Sequence, residues 1–435
     1  MIRPALPSDN GSVKRFGGLR LLLLLLLCLL QGLTGSLQAQ SRVDLPAQDR
    51  SLSMAFEDVY SVGSMVGEVW ETFSQIAGVA FDDGGNLYLL DADNFRVVKV
   101  GPDGGFLAEM GGEGGGPGEF GMPLALAVSK DGEVRVFDMG HGGFSVFASD
   151  GIYKTSVPLA PGTMIFPSGG LLTHPSGAVV SPGGGVVRTR SGGGGLELPA
   201  TVPVHLFTLA DEVKVDTLYE AWNPATAGGT PSLETTEGAG VRFQAPPMRA
   251  FDPETLAGIF PDGRIALVDS TTYDVKVLSP HGQLQQTLHR SFTPREVTRR
   301  DRDAEKERRL AEMEASGGPR IVMRTDDGNT SSMASGQAKA MMEARIESMV
   351  FASEIPVLAG LGVDWDGRVW LRRHGARVGE EGPLDLLGSE GAYLGTVPPE
   401  LGRIPDAFGP NGLAAFIEED ELGIPRVVVQ RVVFR

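Results

Sequence analysis

The sequence predicts an all-β fold, a six-bladed β-propeller with an inserted helical hairpin. Three observations predict it. Short turns of the Asp-Gly type recur along the chain, and an almost continuous apolar strand follows each turn. The 435 residues also include 60 glycines and 29 prolines without a collagen period, which indicates many tight turns. Because repeats of one supersecondary unit determine a whole architecture, these three features are best explained by stacked blades.

The turns mark the repeats, since such dipeptides supply the positive φ angles of tight hairpins. Successive turn glycines are 48, 45, 86, 104 and 45 residues apart, and three of these spacings equal about one blade. The spacing of 86 is close to two blades, so a seventh, degenerate blade is an alternative. We favour a long glycine-rich loop over 181–203 instead. The six turns are Asp83-Gly84, Asp131-Gly132, Ser176-Gly177, Asp262-Gly263, Asp366-Gly367 and Asn411-Gly412.

Each repeat reads as four strands. The strand after the turn is apolar throughout, as in 265–268, 369–371 and 413–417, which is typical of a strand covered on both faces. A polar loop, an alternating strand such as 274–278, a second turn and a less regular outer strand follow. The last repeat ends without an outer strand, and 56–62 can supply it, so we expect both ends of 56–435 to close one propeller.

The spacing of 104 residues holds an insertion, which we place at 293–351. Thr293 as N-cap and Pro294 at the first position predict a charged helix over 295–314. A polar loop over 325–332 and a second helix over about 334–351 follow. The hairpin either packs on the propeller surface or acts as a mobile cap whose methionines adapt to apolar partners.

The N-terminus has the features of a secretory signal peptide over 1–39. Basic residues precede the apolar run 21–30, which is too short to span a bilayer comfortably, and a plausible cleavage site follows Ala39. A retained anchor is the alternative. After cleavage we expect a linker over 40–55, no stable membrane span, and a periplasmic or extracellular location. The only cysteine, Cys28, lies in the removed segment, so disulfides cannot hold the fold.

The formal net charge of −17 makes nucleic acid an unsuitable partner, because an acidic surface repels phosphates. The glycine run 111–118 has spacings that could suit a nucleotide loop. A phosphate loop needs a helix directly after it, whereas Pro117, Phe120 and Pro123 lead into a strand. We therefore interpret the run as a crossover between blades.

Residues 91–100 look like the core of the NHL repeat, and the segment ending in Gly116-Pro117-Gly118-Glu119-Phe120 resembles the usual join between NHL repeats. The resemblance covers about 79–144 and fades along the later blades. It implies an NHL-like propeller similar to exported bacterial six-bladed propellers of unassigned function. Related amidating lyases and lactonases use a metal at the channel, which implies Ca or Zn as a cofactor alternative.

The loop after the second strand of each blade should open around the central channel. Three carboxylates start such loops, and the equivalent position in blade five carries a cationic cluster. The carboxylates either cap their loops or form a polar mouth in which arginines hold an anionic group. The candidate binding residues at this mouth are Asp91, Asn94, Asp138, His141, Asp269, Tyr273, Arg372, Arg373 and His374.

No catalytic constellation is evident in the sequence, which lacks HExxH and GxSxG motifs. We therefore expect a binding propeller without a cofactor, whose ligand is a small molecule, a glycan or a protein. The alternative is a metal-dependent lyase or lactonase at the channel mouth. The candidate residues offer no ready metal set, and catalytic residues cannot be assigned.

Overall fold

The computed structural model shows six antiparallel sheets of four or five strands, which are the blades of a β-propeller. It describes residues 41–435 except 169, 190–195, 198–200, 223–231, 237–239, 245–246, 316–321, 325–329 and 333–334. The predicted signal peptide therefore lies outside the described residues. The described residues form six blades, so the six-bladed prediction is confirmed and the seven-bladed alternative is wrong.

The strands of each blade follow one another from the channel outward in chain order, except in blade six. Blade one contains Ile76–Phe81, Leu87–Asp91, Arg96–Val100 and Phe106–Gly111; blade two contains Pro123–Val128, Val134–Asp138, Gly143–Phe147 and Tyr153–Pro158; blade three contains Leu172–Thr173, Val179–Ser181, Val202–Leu209 and Val213–Ala221. Blade four contains Leu256–Ile259, Ile265–Val268, Asp274–Leu278 and Leu284–His289; blade five contains Leu358–Val363, Val369–His374, Glu381–Leu387 and Tyr393–Val397. Blade six contains Ala407–Phe408, Leu413–Glu419 and Pro425–Phe434 from the end of the chain, with Met54–Val62 as its outer strand.

The second strand of each blade is mostly apolar because it faces two neighbours. Successive side chains of a strand point to opposite sides. In blade one, Leu87 and Leu89 pack towards blade six, whereas Tyr88 and Leu90 pack towards blade two. The described core consists of six such clusters, one between each pair of adjacent blades. The cluster between blades six and one closes the ring.

The ring has two faces. The loop face carries the loops between second and third strands, such as 92–95, 139–142 and 375–380, together with the starts of the inner strands. The turn face carries the turns between inner and second strands. Five of the six predicted turn glycines adopt a positive φ there; in blade one Gly85, with φ of 77°, takes the place of Gly84.

The N-terminal segment runs along the outer edges of blades four, five and six. Ser41–Asp44 is a fifth strand on blade four, and Leu45 is buried in the cluster between blades four and five. Ser51 then bridges Thr396 of the outer strand of blade five. Most of the region expected to be a linker, 40–55, thus has fixed contacts, because it covers strand edges that would otherwise stay unpaired.

Two helices lie between blades four and five, α1 at Arg299–Ala315 and α2 at Ser335–Glu347. The predicted cap at Thr293 is wrong. Thr298 caps α1 instead: its backbone N–H donates to the Asp301 carboxylate (2.9 Å) and its hydroxyl oxygen accepts from the Asp301 N–H (3.3 Å). The chain before the helix forms a two-residue strand, Arg295–Glu296, paired with Glu354–Ile355.

The second predicted helix ends early, since Val350–Phe351 pairs in parallel with Arg249–Ala250. Ile346 and Met349 of the helical insertion pack on Ala250 in a small cluster of their own. Part of the loop predicted at 325–332 is also a strand, Thr330–Ser332, paired with Val322–Arg324, while 325–329 lies outside the described residues. Within the described parts of the chain, no helix is long and apolar enough to cross a membrane.

The long loop predicted over 181–203 is partly wrong. Gly183–Thr189 forms a strand that pairs with Thr163–Ser168, and Leu196–Glu197 extends this small sheet beside blade three. Backbone pairing needs no side-chain alternation, so the glycines gave no sequence signal for a strand. A hairpin of Ser232–Thr236 and Gly240–Gln244 follows blade three.

Candidate functional site

The carboxylate of blade one, Asp91, is completely buried at the loop face. One oxygen accepts the backbone N–H groups of Ser74 and Gln75 at 3.1 and 3.2 Å. The other accepts from Asn94 Nδ2 (2.7 Å) and Arg96 Nε (3.1 Å). Asp91 and Asn94 therefore fix the loop to the segment that enters the inner strand.

Asp138 plays the same part in blade two. Its carboxylate accepts backbone N–H groups of Gly121, Met122 and Gly140 at 2.8, 2.6 and 2.9 Å. His141 Nδ1 lies 2.8 Å from the same carboxylate, and the imidazole side chain is 31% exposed. Asp138 thus orients a partly exposed histidine at the loop face.

In blade four, Asp269 is buried beside a lysine. Lys276 Nζ lies 2.6 Å from the Asp269 carboxylate and 3.0 Å from the Tyr219 hydroxyl of blade three. Asp269 also accepts the N–H of Trp222 at 3.3 Å. These contacts join blades three and four, so this carboxylate also has local partners.

The structure does not bring Arg372 and Arg373 to the channel mouth. Arg372 donates to the backbone oxygens of Gly382 and Gly402 at 2.6 and 2.5 Å. Arg373 lies between blades four and five, 2.7 Å from Asp49 and 3.4 Å from Asp385. Neighbouring side chains of a strand point to opposite sides, so each arginine is buried against a different part of the protein.

Tyr273 belongs to the buried network that holds Arg373. The network centres on Arg290 and Asp385, which are both fully buried and lie 2.8 Å apart. Arg290 also contacts Asp49 (3.0 Å), and its guanidinium lies over the ring of Tyr273. Sequence reasoning missed this network, for which the only signal was one aspartate in an otherwise apolar strand.

Of the nine candidate residues, His374 lines a cavity among the described residues. The cavity, which we call the mouth pocket, has a volume of about 440 Å³ and lies at the loop face. Its walls are the entry to the inner strand of blade four (251–256), the equivalent part of blade five (355–359), the loop 374–381 and one side of α1. The insertion therefore forms part of this pocket.

The floor of the mouth pocket on α1 is an ion-pair cluster around Glu305, which is 3% exposed. Arg308 holds this carboxylate with two hydrogen bonds of 2.7 Å, and Arg309 adds one of 2.9 Å. Burial opposes the charged form of Glu305, but the hydrogen bonds from both arginines outweigh it and keep its pKa below the ordinary value. The pocket therefore offers fixed charges of both signs.

His374 is partly accessible from the pocket, but neighbouring protein atoms remove much of the water around its imidazole. This desolvation lowers the pKa of His374, the positive charge of Arg295 lowers it further, and the negative charge of Glu305 partly offsets both effects. A neutral imidazole at neutral pH can both donate and accept a hydrogen bond. The sequence could identify His374 as a candidate because it starts a loop. It could not show that α1 forms a wall of this pocket, because that depends on where the insertion packs.

A second cavity of about 850 Å³ occupies the central channel at the turn face. Inner strands of all six blades form its walls, and the turns at 129–131, 174–177 and 364–365 form its rim. We call it the channel cavity. Sequence reasoning placed the mouth at the opposite face and missed it.

His174 at this rim gives a pH-dependent prediction. It is 8% exposed, and burial lowers its pKa from the ordinary 6.5; a hydrogen bond to the backbone of Gly263 partly opposes this shift, and the charge of His281 adds to it. The unfolded chain therefore binds a proton there more readily than the folded protein, and stability falls as pH drops below about 6.5. We expect the urea midpoint to fall less between about pH 7 and pH 5 in His174→Gln than in the natural protein. Equal falls in both proteins would contradict this assignment.

In the part of the chain that the structure describes, no three His, Cys, Asp or Glu side chains lie close enough together to hold a metal ion. The lyase or lactonase alternative stays a hypothesis. Metal analysis of the purified protein tests it directly.

Comparison with known proteins supports no closer assignment. The chain matches no family model, and a search of the curated proteins gave no match either. The NHL resemblance therefore stays a prediction.

Solved structures are similar to the chain at low identity. A candidate exported protein from Bacteroides fragilis NCTC 9343 is 10% identical, with 91% of this chain and 99% of that chain covered and a TM-score of 0.45. A gluconolactonase from Xanthomonas campestris is 11% identical, with 89% and 91% covered and a TM-score of 0.36. A virginiamycin B lyase from Staphylococcus aureus is 12% identical, with 88% and 100% covered and a TM-score of 0.35.

Proposed function

We propose that the protein is an exported binding propeller that holds a small polar ligand in the mouth pocket. The observation that supports this most directly is the pocket itself, which four separate parts of the chain build at the loop face. Its volume falls within the range of small-molecule sites, about 300–1,000 Å³. The proposed export rests on the signal-peptide pattern of residues 1–39.

The charges in the pocket suggest the chemistry of the ligand. Arg309 uses Nε for Glu305, and its side chain is 39% exposed. Glu254 lines the same pocket and is exposed. A ligand with a carboxylate and an ammonium group can pair with both, so we propose a zwitterion such as an amino acid or a short peptide.

A thermal-shift screen tests this function. Free amino acids and dipeptides at about 10 mM should include a compound that raises the melting temperature, because a ligand that binds only the folded protein stabilises it. Arg309→Gln should weaken binding of that compound about tenfold, and Glu254→Gln should weaken it similarly.

Arg299→Gln is the matched control, because Arg299 lies on the same helix with its side chain 95% exposed and does not line the pocket. The Arg299→Gln variant should bind the stabilising compound with the same affinity as the natural protein. The proposal is wrong if no compound of the panel shifts the melting temperature, or if Arg309→Gln binds as well as Arg299→Gln.

A further inference from the structure

The channel cavity is separate from the mouth pocket. The two lie at opposite faces and share no lining residue, because in blades four and five each uses a different end of the inner strand. At about 850 Å³, the channel cavity can hold a ligand of several rings. Nothing in the proposed function uses it.

Its walls combine apolar and polar surface in similar amounts and include aromatic rings. Aliphatic side chains come from the inner strands, and at the rim Lys130 Nζ lies 4.9 Å from the ring centre of Trp365. Such walls bind flat or ring-shaped apolar surfaces. The aromatic residues of the wall are Phe81, Phe260, Trp365 and Phe408; Trp365 and Phe408 are partly exposed, whereas Phe81 and Phe260 are almost fully buried in the core.

One buried donor at the cavity lacks an acceptor. Arg135 is 6% exposed, and its Nη2 lies 2.5 Å from Glu133. Its Nη1 is buried without a hydrogen-bond partner among the described residues. An unmet buried donor destabilises the folded protein, and a ligand oxygen that accepts from it recovers this loss. Because Glu133 already balances the charge of Arg135, that oxygen need not belong to an anion.

Carboxylates outnumber cations around the cavity, which disfavours an anionic ligand. Two cations, Lys130 and Arg135, and four aspartates line the cavity. One of these aspartates, Asp364, already accepts hydrogen bonds from the Arg368 N–H and from Trp370 Nε1. Asp406 accepts the N–H of Ile417 at 2.7 Å and is otherwise exposed to the channel. Hydroxyl groups satisfy both kinds of group, because they accept from Arg135 and donate to Asp406. The aspartates are Asp83, Asp131, Asp364 and Asp406.

From this combination we infer that the channel cavity binds a neutral, hydroxyl-rich ligand with apolar ring faces, which is the chemistry of an oligosaccharide. The ring faces lie on the aromatic wall, and a hydroxyl oxygen accepts from Arg135 Nη1. This site is independent of the proposed zwitterion site at the loop face.

Saturation-transfer NMR on the whole chain tests this inference with maltotriose, cellotriose and triacetylchitotriose at about 5 mM. At least one trisaccharide should receive saturation. Arg135→Gln should weaken its binding about fivefold or more, since Arg135 loses its charge and its fixed donor. Thr173→Trp should abolish it, because Thr173 lines the cavity and is only partly buried, so a larger side chain fills the channel.

Two controls separate this site from others. Thr208→Trp makes the same change at an exposed position of blade three that does not line the cavity. Arg309→Gln alters the mouth pocket only. Both should bind the sugar as the natural protein does. The inference is overturned if no trisaccharide binds or if binding survives Thr173→Trp. Failure here leaves the zwitterion site unaffected, because Arg309→Gln and the amino-acid panel report on that site alone.

Discussion

Asp385→Asn should lower the free energy of unfolding by about 3–5 kcal/mol, one of the two largest effects expected for this protein. Asp385 and its partner Arg290 are both fully buried. The substitution preserves the volume but leaves the guanidinium in the interior without its nearest counter-charge. Thr396 also loses the charged acceptor that its hydroxyl contacts at 2.5 Å. The urea midpoint, measured by circular dichroism, reports the change.

Asp216→Asn provides the matched control. Asp216 pairs with Lys214 at 2.7 Å, and their side chains are 43% and 70% exposed. Water screens such a pair, so the control should lie within about 0.5 kcal/mol of the natural protein. If Asp385→Asn unfolds at the same urea concentration as this control, the network does not stabilise the interface between blades four and five.

A chain that starts at Met54 should lose at least about 3 kcal/mol relative to one that starts at Arg42. The shorter chain lacks Leu45, which is 9% exposed and whose burial alone is worth about 2 kcal/mol. It also lacks Asp49, which neutralises Arg290 and Arg373 together. The outer edges of blades four and five become unpaired as well.

Point variants of the longer chain separate the contributions of the apolar contact and of the charge to this loss of stability. Leu45→Ala tests the apolar contact, and Asp49→Ala tests the charge; both should be milder than the deletion because the edge strand stays in place. Equal urea midpoints for the chains starting at Arg42 and Met54 would show that the segment is only a linker, as the sequence suggested.

The candidate site shows what a repeat pattern can and cannot predict. Counting seven residues from each turn aspartate identifies Asp138 and Asp269, and both lie at the loop face. The same count finds Arg373, which the structure places in a buried network with Asp385. The count gives a position along the strand but not the side to which the side chain points or the partner it finds there.

The insertion shows the same limit at a larger scale. Its charge pattern predicted a helix, which the structure contains as α1. The pattern does not distinguish Glu305 from the other charges of the helix, whereas packing buries it beneath Arg308 and Arg309. A helix that contacts a propeller can bury a carboxylate only when the tertiary fold supplies the cover, and no local signal reports this.

The sequence by itself determined the six blades and their turns, because turn chemistry and strands apolar on both sides are local properties that recur with the repeat. The tertiary structure alone decided how the candidate residues are used. It paired the loop aspartates with nearby backbone and basic groups, buried Arg373 between two blades, and assembled the mouth pocket from residues as distant in sequence as Glu254 and Glu381. Such contacts depend on how the ring closes and where the insertion packs, which are properties of the whole chain.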